Sequence, residues 1–284
     1  AAAYQQLFPN TACGVALDNV MQVGGVSRIG QAKTKYFISC TGQEGTVIPV
    51  GALIQSSSRP QRTFQAVSAS IISSANWRKL AIRPIESIAG TFTFDFGVSR
   101  NATSGEVGTY AESSSVTKKM TVSSYDDAYS QMLAAVQSFD ALVKFGIAVS
   151  DETDDQGEHS IVLTASGAAD SFSATLCKYI TVTEVTSNIQ FESAEYGSYV
   201  LADGVITQIV TTVDGWTACT NDIAPIKGRL TQTDAEARTS YTNRVASRGT
   251  GTVASIVSLL YSDVDGVAFA AGYENYNDTT DAAG

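Results

Sequence analysis

Residues Gly228 to Gly284 read GRLTQTDAEARTSYTNRVASRGTGTVASIVSLLYSDVDGVAFAAGYENYNDTTDAAG, and the rest of the chain is arranged around this stretch. Thr233 and Asp234 are residues that cap helices, and Ala237, Tyr241 and Val245 follow on one side of a helix. The turn Arg248-Gly249-Thr250-Gly251 ends it. Thr252 caps a second helix, in which Val253, Ile256, Val257 and Leu260 recur at i, i+3, i+4 and i+7. After Asp263-Val264-Asp265-Gly266, Val267 to Ala271 reads as a strand, and Glu274 onward as a polar, acidic loop. The expected order is helix, turn, helix, turn, strand, with nothing in it that looks like chemistry.

Working outward, the N-terminus also reads as helix. Thr11 can cap a segment with Val15, Ala16, Val20 and Val23 that stops at Gly24-Gly25, with Pro9 at its entrance. From Lys35 the period becomes strand-like. Tyr36 to Cys40 is one strand, and GTVIPVGALI makes two short extended pieces joined at Pro49-Val50-Gly51, since proline cannot donate to a ladder. Phe64 to Ile72 and Leu80 to Ile88 are further extended segments. Thr91-Phe92-Thr93-Phe94-Asp95-Phe96 alternates strictly, which places every Phe on one face of a half-buried strand. A second strand follows near Val116 to Val122.

Ser124 then caps the strongest helix signal, Tyr125 to Phe145, with Tyr125, Tyr129, Met132, Val136, Phe139 and Val143 as its buried face. Asp126 and Asp127 sit at the positive end of its dipole, Lys144 at the negative end, and Gly146 closes it. Asp151 to His159 reads as a solvated acidic loop, Ile161 to Leu163 and Leu176 to Val185 as strands, and Ile189, Phe191 and Val205 to Val210 resume the β pattern.

The fold class expected from this pass is α+β. A β-rich core domain (35–89 and 187–230) carries an inserted small α+β module (90–186), after an N-terminal helical segment (1–34) and before a C-terminal helix-turn-helix-strand unit (231–284).

The totals exclude several function classes. A chain of 284 residues with 44% hydrophobic and 16% charged residues can bury a sizeable core. Its formal charge of −10 argues against nucleic acid and against an anionic membrane surface as partners. No apolar run approaches the ~20 residues that span a bilayer. No basic-then-apolar leader stands at the N-terminus. The abrupt Ala1-Ala2-Ala3 start and Ala282-Ala283-Gly284 stop lead us to expect that one or both ends of a longer protein are missing. Cys13, Cys40, Cys177 and Cys219 form no C-x-x-C pair, and Cys40 and Cys177 sit in apolar runs as buried thiols, which fits cytoplasmic folding and assembly.

Candidate chemistry is thin. His159, the single histidine, has no nucleophile-elbow serine to serve and reads as an exposed loop residue. Asp151, Glu152, Asp154, Asp155 and Glu158 lack the glycine and glutamate positions of an EF-hand, and Asp278 with Asp281 reads as a polar loop. Gly249-Thr250-Gly251-Thr252 lacks the lysine of a phosphate loop. Trp77 and Trp216 are expected as core or interface anchors and not as sugar platforms. No catalytic residue, metal site or cofactor is expected.

The order of motifs resembles the baseplate J-like family of contractile-tailed phages and related injection machines. The C-terminal part supplies Thr233-Asp234-Ala235-Glu236-Ala237-Arg238, Gly249-Thr250-Gly251-Thr252, Val264-Asp265-Gly266-Val267, Glu274-Asn275 and Asp278-Thr279-Thr280-Asp281-Ala282-Ala283-Gly284. The N-terminal part supplies Thr11-Ala12-Cys13-Gly14-Val15-Ala16-Leu17-Asp18, Gly25-Val26-Ser27-Arg28 and Gly42 to Gly51, and Gly215-Trp216 with Asn221 adds a further element. The match covers both ends and much of the middle, with gaps across 90–186. Gln232 departs from the acid that the family usually has there, and Arg244 and Arg248 fit its Arg-rich helix only loosely.

The resemblance implies a non-enzymatic wedge subunit in the virion's tail baseplate, assembled in the host bacterial cytoplasm. Copies would pair within and between wedges and close a ring around the central hub and spike, which rearranges on tail contraction. Other wedge subunits and hub or spike proteins are the further partners it implies. Residues assigned to the subunit interface, or to its support, are Asp234, Arg238, Tyr241, Arg248, Val253, Ile256, Val257 and Leu260. The competing expectation is a virion-associated polysaccharide-binding or hydrolase module.

Overall fold

The structure, a computed structural model, describes residues 2–86, 88–101, 112–154, 156–167, 170–247, 252–264, 267 and 269–273. In chain order α1 (Ala2–Gln5) and α2 (Gly14–Val23) precede β1 (Lys33–Gly42), β2 (Thr46–Ile48), β3 (Leu53–Ser56), β4 (Thr63–Ala66), β5 (Ser70–Ile72) and β6 (Lys79–Pro84). Next come β7 (Gly90–Arg100), β8 (Ser113–Val122), α3 (Tyr125–Gln137), α4 (Asp140–Lys144), β9 (Ile147–Thr153) and β10 (His159–Ala165). The chain continues through β11 (Phe172–Leu176), β12 (Ile180–Tyr196), β13 (Ile206–Ile209), β14 (Trp216–Thr220), α5 (Asp234–Ser247) and α6 (Val253–Asp263). The fold is β-rich α+β. Contacts divide it into a β unit, Lys33–Gly228, and a helical unit made of Ala1–Ala32 with Arg229–Gly284.

The β unit is built on β12, a strand of 17 residues. Phe191 pairs with both Tyr36 of β1 and Ala66 of β4, and Val185 with both Gly42 of β1 and Leu80 of β6. One edge of β12 therefore carries β1, and the other carries β6 and β4 end to end. The resulting antiparallel sheet runs β13-β3-β4-β12-β6-β10-β9, with β1 and β14 joined through β12. Alternation does the sorting. Along β1, Thr34, Tyr36, Ile38 and Cys40 are buried, because a period of two sends every second side chain to one face.

β11, β7 and β8 make a separate three-stranded sheet. As the alternation of 91–96 predicts, Phe92, Phe94 and Phe96 are buried while Thr91, Thr93 and Asp95 face solvent. One continuous core joins these phenylalanines to Trp77, Phe172 and the large sheet. Both tryptophans are core residues, as expected.

The stretch 90–186, expected as an inserted module, does not stand apart from its host. β12 runs through the expected boundary, and β9 and β10 extend the host sheet through β6. The physical reason is that β6 offers a free ladder edge, and pairing satisfies its backbone groups.

Three local expectations need correction. The long helix is broken at Ser138-Phe139, where Phe139 turns extended. The restart rotates the phase, so Leu142 is buried while Val143, expected inside, is 78% exposed. Its start holds: Ser124 Oγ accepts from Asp127 N at 3.2 Å, and Ser123 N donates to Asp127 Oδ2 at 2.9 Å. Second, the acidic stretch from Asp151 is a hairpin, with Asp151 pairing Ile161 and Thr153 pairing His159. Its outward residues are charged, so the pattern reads as loop although the backbone is paired. Third, the described residues of Val267–Ala271 carry no strand.

In the helical unit, α2 begins after Cys13 and buries Leu17 and Met21, whereas Val15 and Val23 are 75% and 91% exposed. Leu17 and Met21 lie four apart and outsize the valines, so they form the better stripe. With Ala12 and Ala237 of α5 they make a small second core. Among the described residues no helix is long and apolar enough to cross a membrane.

Candidate subunit interface

The start of α5 is locked by a capping box. Thr233 Oγ1 accepts from Glu236 N at 3.3 Å while Glu236 Oε2 accepts from Thr233 N at 2.8 Å. Thr233 supplies the cap, which releases Asp234 for a different task. Asp234 Oδ1 accepts from Arg28 Nη2 at 2.7 Å and Oδ2 from Gly14 N at 3.1 Å. The same guanidinium donates through Nε to Asp18 Oδ1 at 2.8 Å and through Nη1 to the Gln232 carbonyl at 2.7 Å. Arg28 thus ties the N-terminal helix to the C-terminal one. Its planar fork reaches three acceptors from three separate nitrogens, a spread that the single ammonium nitrogen of lysine lacks.

Arg238 closes the other side. Nε donates to the Pro9 carbonyl at 3.0 Å and Nη2 to the Ala12 carbonyl at 2.8 Å. Tyr241, half-buried, lays its ring where a Cβ on Gly24 would stand, so only glycine fits there. Asp234, Arg238 and Tyr241 are therefore bound inward within this unit and shape the surface from beneath.

α6 lies beside α5 and is capped as the sequence predicts, with Thr252 Oγ1 accepting from Ser255 N at 3.2 Å. Its one fully buried described side chain is the small Ser255. Val253 and Val257 are half-covered, Val253 standing over Gly272. Ile256 is 56% exposed, and Leu259, Leu260 and Tyr261 are each about 40% exposed. Val264, Phe269 and Tyr273 continue the exposed apolar run. Of the stripe assigned above to the subunit interface or its support, Ile256 and Leu260 are exposed and Val253 and Val257 are half-covered. Arg248 and the glycines Gly249 and Gly251 lie outside the described residues, as do Glu274-Asn275 and Asp278 to Gly284.

The chain matches no protein-family model and no curated protein.

Sequence reading missed the role of Arg28. Its Gly25-Val26-Ser27-Arg28 context marks a helix end, but nothing local reveals partners 10 and 206 positions away. The exposed Leu259 and Tyr261 lie just off the 3.6-residue stripe and were invisible for that reason.

The carboxylates of this unit link its stability to pH. The bond from Arg28, and then the one from the Gly14 amide, hold Asp234 below the ordinary carboxylate range. Thr233 does the same for Glu236. A depressed folded-state value means the contribution is complete above the unfolded-state value and is lost as pH falls through the folded one. Asp234→Asn is expected to be less stable than the parent at neutral pH, and the gap is expected to close on acidification. Denaturant melts at stepped pH check this; a gap that is constant down to acid pH would contradict it.

Proposed function

We propose that this chain is a structural, non-enzymatic subunit of the baseplate wedge of a contractile phage tail. It self-associates, and with other wedge and hub or spike proteins it closes a ring that rearranges on contraction. The observation that carries the reading is the outward apolar face of α6, formed by Ile256, Leu259 and Leu260. A contiguous exposed apolar surface on a soluble-type fold marks an interaction site. Aromatic and branched anchors with a polar rim are what protein interfaces use. The capped, Arg-clamped helices beneath make the face rigid, which lowers the cost of association. The motif order described above supplies the biological setting.

The test is the mass of the particle formed, by light scattering and native mass spectrometry, with the chain alone and co-expressed with neighbouring tail proteins. Dimers or higher multiples support the reading. A monomer under both conditions, or turnover of a cell-wall polysaccharide by the purified chain, overturns it.

A further inference from the structure

Within the β unit, α3 and the β9–β10 hairpin enclose an open groove of ≈ 370 Å³. That volume is in the range of small-molecule sites, roughly 300–1,000 Å³. One wall is apolar and aromatic, from Tyr125, Tyr129 and Leu133 of α3; the facing side presents Asp151 of β9 and His159 of β10. These polar groups are held in place before any ligand arrives. Tyr129 Oη donates to Asp151 Oδ1 at 2.6 Å, and His159 Nδ1 lies 3.0 Å from the same oxygen. The Tyr129 and His159 rings stand 5.6 Å apart.

The network uses one carboxylate oxygen twice. Among the described residues, neither Asp151 Oδ2 nor His159 Nε2 has a hydrogen-bond partner. Both side chains reach solvent, at 39% and 53% exposure. A surface contact that open contributes little to the fold. What the arrangement does provide is a fixed acceptor and a fixed imidazole beside an apolar wall.

We propose that this groove binds a neutral saccharide of one or two rings. Tyr125 and Leu133 cover the apolar C–H face of a sugar ring, and Asp151 and His159 take its hydroxyls. A purely apolar ligand would displace water from the two polar groups without replacing its hydrogen bonds. An anionic sugar would meet Asp126 and Asp151. A cation would find the carboxylate charge already shared between two neighbours. Hydrogen bonds from Tyr129 and then His159 hold Asp151 below the ordinary carboxylate range, so it is an acceptor throughout the neutral range.

Saturation-transfer NMR on the full chain tests this, with the methyl glycosides of glucose, galactose, mannose and N-acetylglucosamine as probes. Transfer from at least one is expected, with millimolar affinity. Asp151→Asn and Tyr125→Ala should each weaken it by about tenfold, the loss of one hydrogen bond to a charged group or its equivalent in contact. His159→Ala, which keeps the Tyr129 to Asp151 bond, carries the same expectation if Asp151→Asn fails to fold. No transfer from the whole set, transfer unchanged in the folded variants, or binding of tetramethylammonium but no glycoside would overturn the proposal.

Discussion

Replacing Ile256 and Leu260 together by aspartate is expected to abolish self-association while leaving the monomer folded. Both side chains are exposed, so the substitutions open no cavity in either core. Surface changes of this kind usually alter stability by no more than about 0.5 kcal/mol. At an interface the same positions would bury two unpaired carboxylates, and loss of a hot-spot residue costs about 2 kcal/mol or more, roughly 30-fold in affinity. Val143→Asp, on the exposed side of α4, is the matched control and should assemble like the parent. Sedimentation of all three proteins, with circular dichroism to verify the fold, distinguishes the outcomes. A double variant that still forms particles of the parent mass would remove α6 from the interface.

The second large effect belongs to the core. Phe94→Ala should cost about 3–5 kcal/mol, the range for deleting a buried phenylalanine. Phe94 is fully buried, stacks on Phe96 at 6.5 Å between ring centroids, and Phe96 in turn meets Phe139 edge-on at 6.4 Å. Domains hold only about 5–15 kcal/mol in total, so most of the unit's margin would go. Because the core runs unbroken from the three-stranded sheet to β12, the whole β unit should melt earlier and still in one transition. Thr93→Ala, one residue away on the solvent face, should move the midpoint hardly at all. Chemical denaturation followed by Trp77 and Trp216 fluorescence reads both, and equal effects at 93 and 94 would contradict the facing assigned to β7.

The contrast between neighbours 93 and 94 shows what was legible in the chain. Strict alternation over six residues admits one half-buried strand, and Ser124 and Thr252 each cap the helix their local sequence announces. The two short strands either side of Pro49-Val50-Gly51 were equally plain, with Gly51 at a φ of +78° that glycine tolerates. The helix break at Phe139 was not legible, because the apolar period of Val136, Phe139 and Val143 runs straight across it and only the burial of Leu142 decides the phase. The β9–β10 hairpin was hidden by its charge: an edge strand that shows Asp151 and Glu152 to water looks like a loop until its partner is known.

For the candidate interface the division is sharper. Sequence by itself determined that α6 would be an amphipathic helix with Val253, Ile256, Val257 and Leu260 on one face, and that Asp234 would open α5. Tertiary structure alone decided how far each part of this face is covered, with Ser255 taking the fully buried position, Val253 and Val257 half-covered and Ile256 and Leu260 exposed. It also set Asp234 against Arg28, two residues 206 positions apart, instead of at the cap. The reason is physical. Caps and periodicity act within a turn or two of the chain and are written locally. Which side of a helix meets a neighbour depends on the summed packing and hydrogen bonds of segments far apart, and no window of sequence contains that sum.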